Sequence, residues 1–241
     1  MAASLRDRRR DRPPTRVFSG PVSPTSRRAT RKRTGRRRGK LAVALVAIAC
    51  LVAALIVLPG VADGILDATG RSTPRSDWRR GEVPYLYQTD SAWADEPYAG
   101  STVSVAGCGP TCLSMVYVDL TGRTDLGPAE MSAFSERNGF VSDGMTAWSL
   151  MTDGAALLGL DSHELAADVG SVTTALEAGS PIICSVAPGD FTSTGHFIVL
   201  AGIADDGGII VHDPNSAANS SRTWDAQRIV DQCKNLWAFS A

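Results

Sequence analysis

Gly107-Cys108-Gly109-Pro110-Thr111-Cys112 opens an apolar helical run that extends to Leu120. A cysteine at a helix start lies beside backbone N–H groups that have no partner inside the helix. Those groups stabilise a thiolate and, equally, an oxyanion formed next to it. The chain has only three histidines. His196, in Gly195-His196-Phe197-Ile198-Val199, stands at the mouth of a β-rich run. His212 adjoins Asp213 in Val211-His212-Asp213-Pro214-Asn215. Consecutive strand residues face opposite sides, so if Asp213 faces a site, His212 does not. His196 with Asp213, on neighbouring strands, is the simpler base and orienting carboxylate. His163, in the polar segment Asp161 to Glu164, reads as a surface residue. Cysteine, base and carboxylate in that order are the parts of thiol-based acyl transfer. Gln88, the only glutamine before Cys108, is the fourth candidate, because an amide can donate to the oxyanion from opposite the backbone donor.

The neighbours of Cys108 carry expectations of their own. Gly107 and Gly109 are expected to let a substrate approach the backbone. Cys112, one turn on, is expected to face the core beside Met115 as a structural cysteine. The segment Pro188 to Gly195 is expected to lie over the site, with Phe191 covering a narrow cleft. No glycine-rich phosphate loop, metal-spaced His/Cys cluster or carboxylate pair stands out, so neither a cofactor nor a metal is implied.

The elements that position these residues fall into two halves. Val83 to Tyr87 reads as a short opening strand and residues 89 to 107 as a long irregular loop. Helices are predicted from Cys108 to about Leu120, Pro128 to Arg137 with a stop at Asn138-Gly139, Thr146 to Leu158, and Val172 to Ala178. The period then changes. Pro181 to Val186, His196 to Ile203 and Gly208 to Asp213 are β-rich runs punctuated by Gly and Pro. A helix near Trp224 to Cys233 and a strand from Asn235 to Phe239 follow. Helices first and an antiparallel sheet after make the domain α+β. Of the cysteines beyond residue 50, Cys108 and Cys112 are i, i+4 in one helix, a poor geometry for a disulfide. Cys184 with Cys233 is the pair left to consider, and the sequence leaves open whether it forms.

The total charge hides a division. Residues 1–40 hold 15 of the 24 Lys and Arg and only two acids, Asp7 and Asp11, so residues 41–241 keep nine basic against 23 acidic residues, a formal −14. Between the halves, Leu41 to Leu58 is 18 residues long with no charge and only Cys50 polar. As a helix it spans roughly 27 Å, close to a ~30 Å hydrocarbon core. Residues 41–59 therefore read as a transmembrane helix, with the basic arm in the cytoplasm and the acidic part outside. A cleaved signal, suggested by Gly60-Val61-Ala62, is the alternative, but the apolar run exceeds the usual length of a signal core. Residues 1–40, rich in Arg, Pro, Ser and Thr, read as a disordered arm. Beside a membrane span it is a topogenic segment rather than a nucleic-acid-binding one. Residues 60–81 read as a stalk and residues 82–241 as one domain.

With these residues in place, the region from about Val83 to Asp213 resembles the bacteriocin-processing, double-glycine peptidase family and its stand-alone relatives in the papain-like superfamily. Val83-Pro84 with Gln88, Gly107-Cys108-Gly109-Pro110-Thr111 with its apolar helix, Gly195-His196-Phe197 and Asp213-Pro214 carry the resemblance. It implies a papain-like fold, with helices packed on the antiparallel sheet. It also implies Cys108 as nucleophile, His196 as base, Asp213 as orienter and Gln88 in the oxyanion hole. Transporter-linked members keep the glutamine a few residues before the cysteine. Here 20 positions separate the two, a spacing closer to the stand-alone members. No transporter domain accompanies the motifs, so cleavage of a leader at a double glycine does not carry over. The expectation is a membrane-anchored extracellular cysteine peptidase acting on a peptide or protein, with a small residue before the cleaved bond. A peptidoglycan amidase or endopeptidase would use the same residues. A non-catalytic peptide-binding module is the remaining reading, and the intact Cys108, His196 and Asp213 argue against it.

Overall fold

The computed structural model describes residues 71–241. The expected arm, membrane span and first half of the stalk lie outside the described residues. Among the described residues, ten strands and seven α-helices are assembled around one central helix. A hairpin, β1 (Pro97–Tyr98) and β2 (Ser101–Thr102), leads into α1 (Val103–Ala106) and then α2 (Cys108–Thr121). Every residue of α2 from Gly109 to Val118 is buried, as a helix with no charge before Asp119 must be. Gly122, at φ 70°, ends it by donating its N–H to the Val118 carbonyl at 2.8 Å, a left-handed cap that favours glycine. Next come α3 (Pro128–Arg137), with proline in its first turn, and the hairpin β3 (Val141–Ser142) and β4 (Met145–Thr146). A 3-10 turn (Trp148–Met151), α4 (Asp153–Leu157), β5 (Asp161–Glu164) and α5 (Val169–Glu177) complete the first half.

The second half is mainly sheet. It runs through β6 (Ile182–Val186), β7 (His196–Ile203), β8 (Ile209–His212), α6 (Ala217–Ser220), β9 (Thr223–Trp224), α7 (Ala226–Val230) and β10 (Cys233–Ser240). Six strands form one sheet in the order β5-β10-β6-β7-β8-β9, with every pair antiparallel. Period-two alternation splits its side chains between two cores. Ile183, Phe197, Val199, Trp237 and Phe239 face α2. Ile182, Cys184, Ile198, Leu200, Val211 and Leu236 face α5 and α7 on the other side. The α+β expectation is met, and the helices cover both faces of the sheet rather than one.

Several expected elements differ. Residues 82–87 form no strand. They run extended, and Tyr85 and Tyr87 are tied to Thr73 and Ser72 through backbone and hydroxyl hydrogen bonds. Residues 72–81 are no stalk: Trp78 is buried in the α2 core, and Gly81 donates its N–H to the Asp119 carbonyl. In place of the predicted helix Thr146 to Leu158 stand a 3-10 turn, Trp148–Met151, and a short helix, Asp153–Leu157, and its expected start is taken by a hairpin because Asp143 and Gly144 both hold positive φ, 52° and 74°. That pair is the two-residue turn of a hairpin, and it draws Met145 and Thr146 into β4. The helix predicted from Val172 begins at Val169, because Asp168 caps it by accepting the Ser171 N–H at 2.8 Å. Asp161 to Glu164 is the outer strand of the large sheet, and His163 is exposed there as expected. Cys184 and Cys233 form a disulfide.

Candidate active site

The fold brings Cys108, His196 and Asp213 together. Cys108 begins α2, and its side chain packs partly against the α2 core. His196 is the first residue of β7. Val199 pairs with His212, so Asp213 leaves the end of β8 beside the start of β7. The Nε2–H of His196 donates to Asp213 Oδ1 at 2.7 Å, with both residues buried. A carboxylate only accepts, so Nε2 carries a proton and Nδ1 is the nitrogen left for Cys108, which lines the same cleft. Burial disfavours the imidazolium. The hydrogen bonds to Asp213 and Cys108, with the negative charge on each, outweigh that and raise His196 to about 9.

Asp213 is itself held on every side. Asn219 Nδ2 donates to its Oδ2 at 2.7 Å and the Asn215 N–H to its Oδ1 at 2.9 Å. Its own N–H donates to Ser220 Oγ at 2.9 Å. Asn219 and Ser220 come from α6, a single turn that the sequence reading left out. The turn follows from Ser216, whose hydroxyl caps it by accepting the Asn219 N–H.

His212 behaves as the alternation argument requires. It points away from Asp213, stacks on Tyr85 with ring centroids 3.7 Å apart, and lies 3.3 Å through Nδ1 from the Pro84 carbonyl. Complete burial, only partly offset by that carbonyl, pushes it down to about 4, so it is neutral at ordinary pH. Cys112 is fully buried beside Met115 in the α2 core. Burial first, and then the nearby Cys108 and Asp213 charges, raise its thiol well above the ordinary range.

Gln88 is buried between the two halves of the site. Its N–H donates to the Pro214 carbonyl at 2.8 Å, next to Asp213. Its Nε2 donates to the Ser104 carbonyl at 2.8 Å. In an unbroken helix that carbonyl would take the N–H of Cys108. The kink at Gly107 between α1 and α2 hands it to Gln88 instead, and leaves the N–H groups of Cys108 and Gly109 without a backbone acceptor among the described residues. One N–H of the Gln88 amide remains uncommitted.

The glycines beside Cys108 serve a purpose other than the expected one. A Cβ on Gly107 would sit 2.5 Å from the Val103 carbonyl oxygen, and one on Gly109 would sit 2.6 Å from Thr146 Cγ2. Both therefore permit close packing within the fold rather than close approach of a substrate. Thr146 is in turn fixed by Tyr98, whose hydroxyl bonds Thr146 Oγ1 at 2.8 Å and Ser135 Oγ at 3.0 Å.

A cleft of about 590 Å³ opens over Cys108 and His196. Val105, Met145 and Trp148, three large apolar side chains left exposed, line it together with Ser185, Thr194 and Lys234. Phe191 does not cover the cleft. It is buried against Trp224, ring centroids 4.4 Å apart, in the core beneath the far face of the sheet. Of its loop, only Thr194 and Gly195 reach the cleft. The sequence reading passed over Met145, Trp148 and Lys234. The Asp143-Gly144 turn was the available signal for the first two, and the isolation of Lys234 as the only lysine after Lys40 was the signal for the third.

Residues 81–238 match the family model described as the Peptidase_C39 like family. Among solved structures, the peptidase domain of Streptococcus ComA, a bifunctional ABC transporter of a quorum-sensing pathway, is similar at 19% identity. Its TM-score is 0.41, and the match covers 56% of this chain and 90% of that one. A structure described as a C39-like peptidase from Bacillus anthracis is similar at 14% identity with a TM-score of 0.41, over 68% of this chain and 96% of that one. No curated protein matches.

Proposed function

Because the chain belongs to the Peptidase_C39 like family, we propose that it is a cysteine peptidase that hydrolyses peptide bonds through Cys108, His196 and Asp213. The observation that carries this reading is the buried pair of His196 Nε2 and Asp213 Oδ1, 2.7 Å apart, at the cleft that Cys108 and His196 line together. A histidine near 9 holds its proton at neutral pH. The Cys108 sulfur, as thiolate, attacks the peptide carbonyl carbon, and the carbonyl electrons move onto oxygen. The free Cys108 N–H and the second N–H of the Gln88 amide stabilise the oxyanion. His196 passes its proton to the departing amine as the C–N bond breaks, leaving an acyl-enzyme. Neutral His196 then takes a proton from water as it attacks the thioester, and Cys108 leaves as thiolate. Asp213, locked by Asn219 and Asn215, keeps the ring in the required tautomer throughout.

Residues 41–59 anchor the enzyme, with the basic arm in the cytoplasm and the catalytic domain outside. The charge asymmetry about the apolar run supports this placement. So does the Cys184–Cys233 disulfide, a bond that persists in oxidising compartments.

The purified full chain, profiled on a peptide library and on peptidoglycan, tests the activity, with Cys108→Ser as control. Cleavage of peptides by the native chain alone supports the reading. Release of peptidoglycan fragments with no peptide cleavage replaces it with the amidase. Inert native chain rejects both. Protease added to intact cells should digest residues 72–241 and spare the arm; a protected domain overturns the topology.

A further inference from the structure

The cleft holds one cation that the thiol and imidazole chemistry does not use. Lys234 lines it beside Ser185 and Thr194. It is the only lysine after Lys40, in a stretch, residues 41–241, of formal charge −14. Arg75, Arg79, Arg123 and Arg228 are held in ion pairs with Glu130, Glu82, Asp125 and Asp190. Arg222 lies over the Trp224 ring. Lys234 has no ion-pair partner among the described residues and is exposed to the cleft.

The backbone aims it there. In β10, Asn235 pairs with Ser185 and Cys233 with Val186, so Lys234 is an extra residue between them, a β-bulge. In a regular ladder residue 234 would sit opposite Val186 and share its face with Cys184 and Leu236, in the core away from α2. The bulge gives that place to Cys233, which the disulfide to Cys184 pins there. Lys234 is turned instead onto the side of the sheet where Cys108 and Trp148 lie.

We propose that Lys234 determines specificity by taking a carboxylate of the substrate near the bond that Cys108 attacks. Its ammonium is a compact charge with three donors, and the Ser185 and Thr194 hydroxyls stand beside it. An acidic domain repels anions in general, so a single cation in a cleft concentrates them at one place. The carboxylate comes from an acidic side chain or from a chain terminus. The identity of the substrate as a peptide rests on the function proposed above; the recognition of a carboxylate does not.

The test on the full chain begins with Cys108 itself. Its alkylation rates by iodoacetate, which carries a carboxylate, and by neutral iodoacetamide are measured in the native chain, in Lys234→Gln and in Lys234→Glu. The expected ratio of iodoacetate to iodoacetamide rates falls about three- to tenfold in Lys234→Gln and further in Lys234→Glu, and the differences shrink in high salt. An equal ratio in all three proteins overturns the proposal. A second arm uses peptide pairs that differ as Glu against Gln beside the cleaved bond, or as free against amidated C-terminus. The pair whose carboxylate form is preferred by the native chain, and not by Lys234→Gln, identifies the source. Cleavage with no carboxylate preference in either pair also overturns it. If no peptide is cleaved while the alkylation ratio still follows Lys234, the carboxylate site stands and the peptidase reading falls.

Discussion

Acid should destabilise this domain through one residue outside the catalytic set. His212 is completely buried, stacked on Tyr85 and directed at the Pro84 carbonyl, and it is held down to about 4. In the unfolded chain the same ring titrates near ~6.5. A depressed value means that the neutral form contributes stability in full above about 6.5, and that this is lost as the pH falls through about 4. At ~1.4 kcal/mol for each tenfold in proton affinity, the loss between pH 7 and 4 is on the order of 3 kcal/mol, a large part of the ~5–15 kcal/mol that holds a domain together. His212→Phe keeps a ring against Tyr85 and removes the titration. It also gives up the hydrogen bond to Pro84, worth about 1 kcal/mol. The variant should therefore be about 1 kcal/mol less stable than the native protein at pH 7 and about 2 kcal/mol more stable at pH 4. Urea unfolding followed by the fluorescence of the buried Trp78, Trp93, Trp224 and Trp237 reads this directly. Other groups titrate in both proteins and cancel in the difference. Two stability curves that stay parallel from pH 7 to 4 would refute the reasoning, because they would mean that burial of His212 costs its charged form nothing.

Four further outcomes are expected. His196→Ala and Asp213→Ala should each lower peptide turnover, by ~10²–10⁴-fold for the base, while His212→Phe stays near the native rate at pH 7; steady-state kinetics on one peptide decides. Since His196 is raised to about 9, kcat/KM should hold up to that region and fall above it as the imidazolium loses its proton; a decline that begins near 6.5 contradicts the assignment. Replacing Cys184 and Cys233 by Ala opens a loop of sequence separation 49 and should cost ~2–4 kcal/mol in urea unfolding, with an unchanged midpoint as the contrary result. Gly109→Ala drives a methyl into Thr146 and should lower stability by ~1–3 kcal/mol, measurable as a drop in melting temperature; an unaltered melt would show that Thr146 yields freely.

The site was more legible in the sequence than the elements around it. Cys108, His196 and Asp213 announce themselves through chemistry and chain order, and two-residue alternation separated His212 from Asp213 before any coordinates. The first helix was readable because Cys108 to Val118 carries no charge at all. The errors share a cause. Residues 72–81 look like a polar linker, yet the single aromatic Trp78 anchors them in the core. The apolar residues from Thr146 on suit a helical period, which hides the hairpin closed by Asp143 and Gly144. A helix counted from Val172 misses Asp168, whose carboxylate caps α5. The purpose of Gly107 and Gly109 was not legible, since their close neighbours, Val103 and Thr146, are set by tertiary packing. The bulge at Lys234 leaves no mark in composition, and it shows only when β10 is laid against β6.

The place of β10 makes the sheet complete only once the whole domain has been synthesised. It follows the other nine strands in chain order, yet it lies between β5 and β6. A chain emerging from its N-terminal side presents Cys108 and α2 first, with no imidazole to activate the thiol and no carboxylate to steer one. His196 and Asp213 come later, and their strands gain a closed sheet only when residues 233–240 slot between β5 and β6. A chain interrupted before Cys233 carries every candidate group of the site but lacks the strand that joins β5 to β6 and completes the sheet.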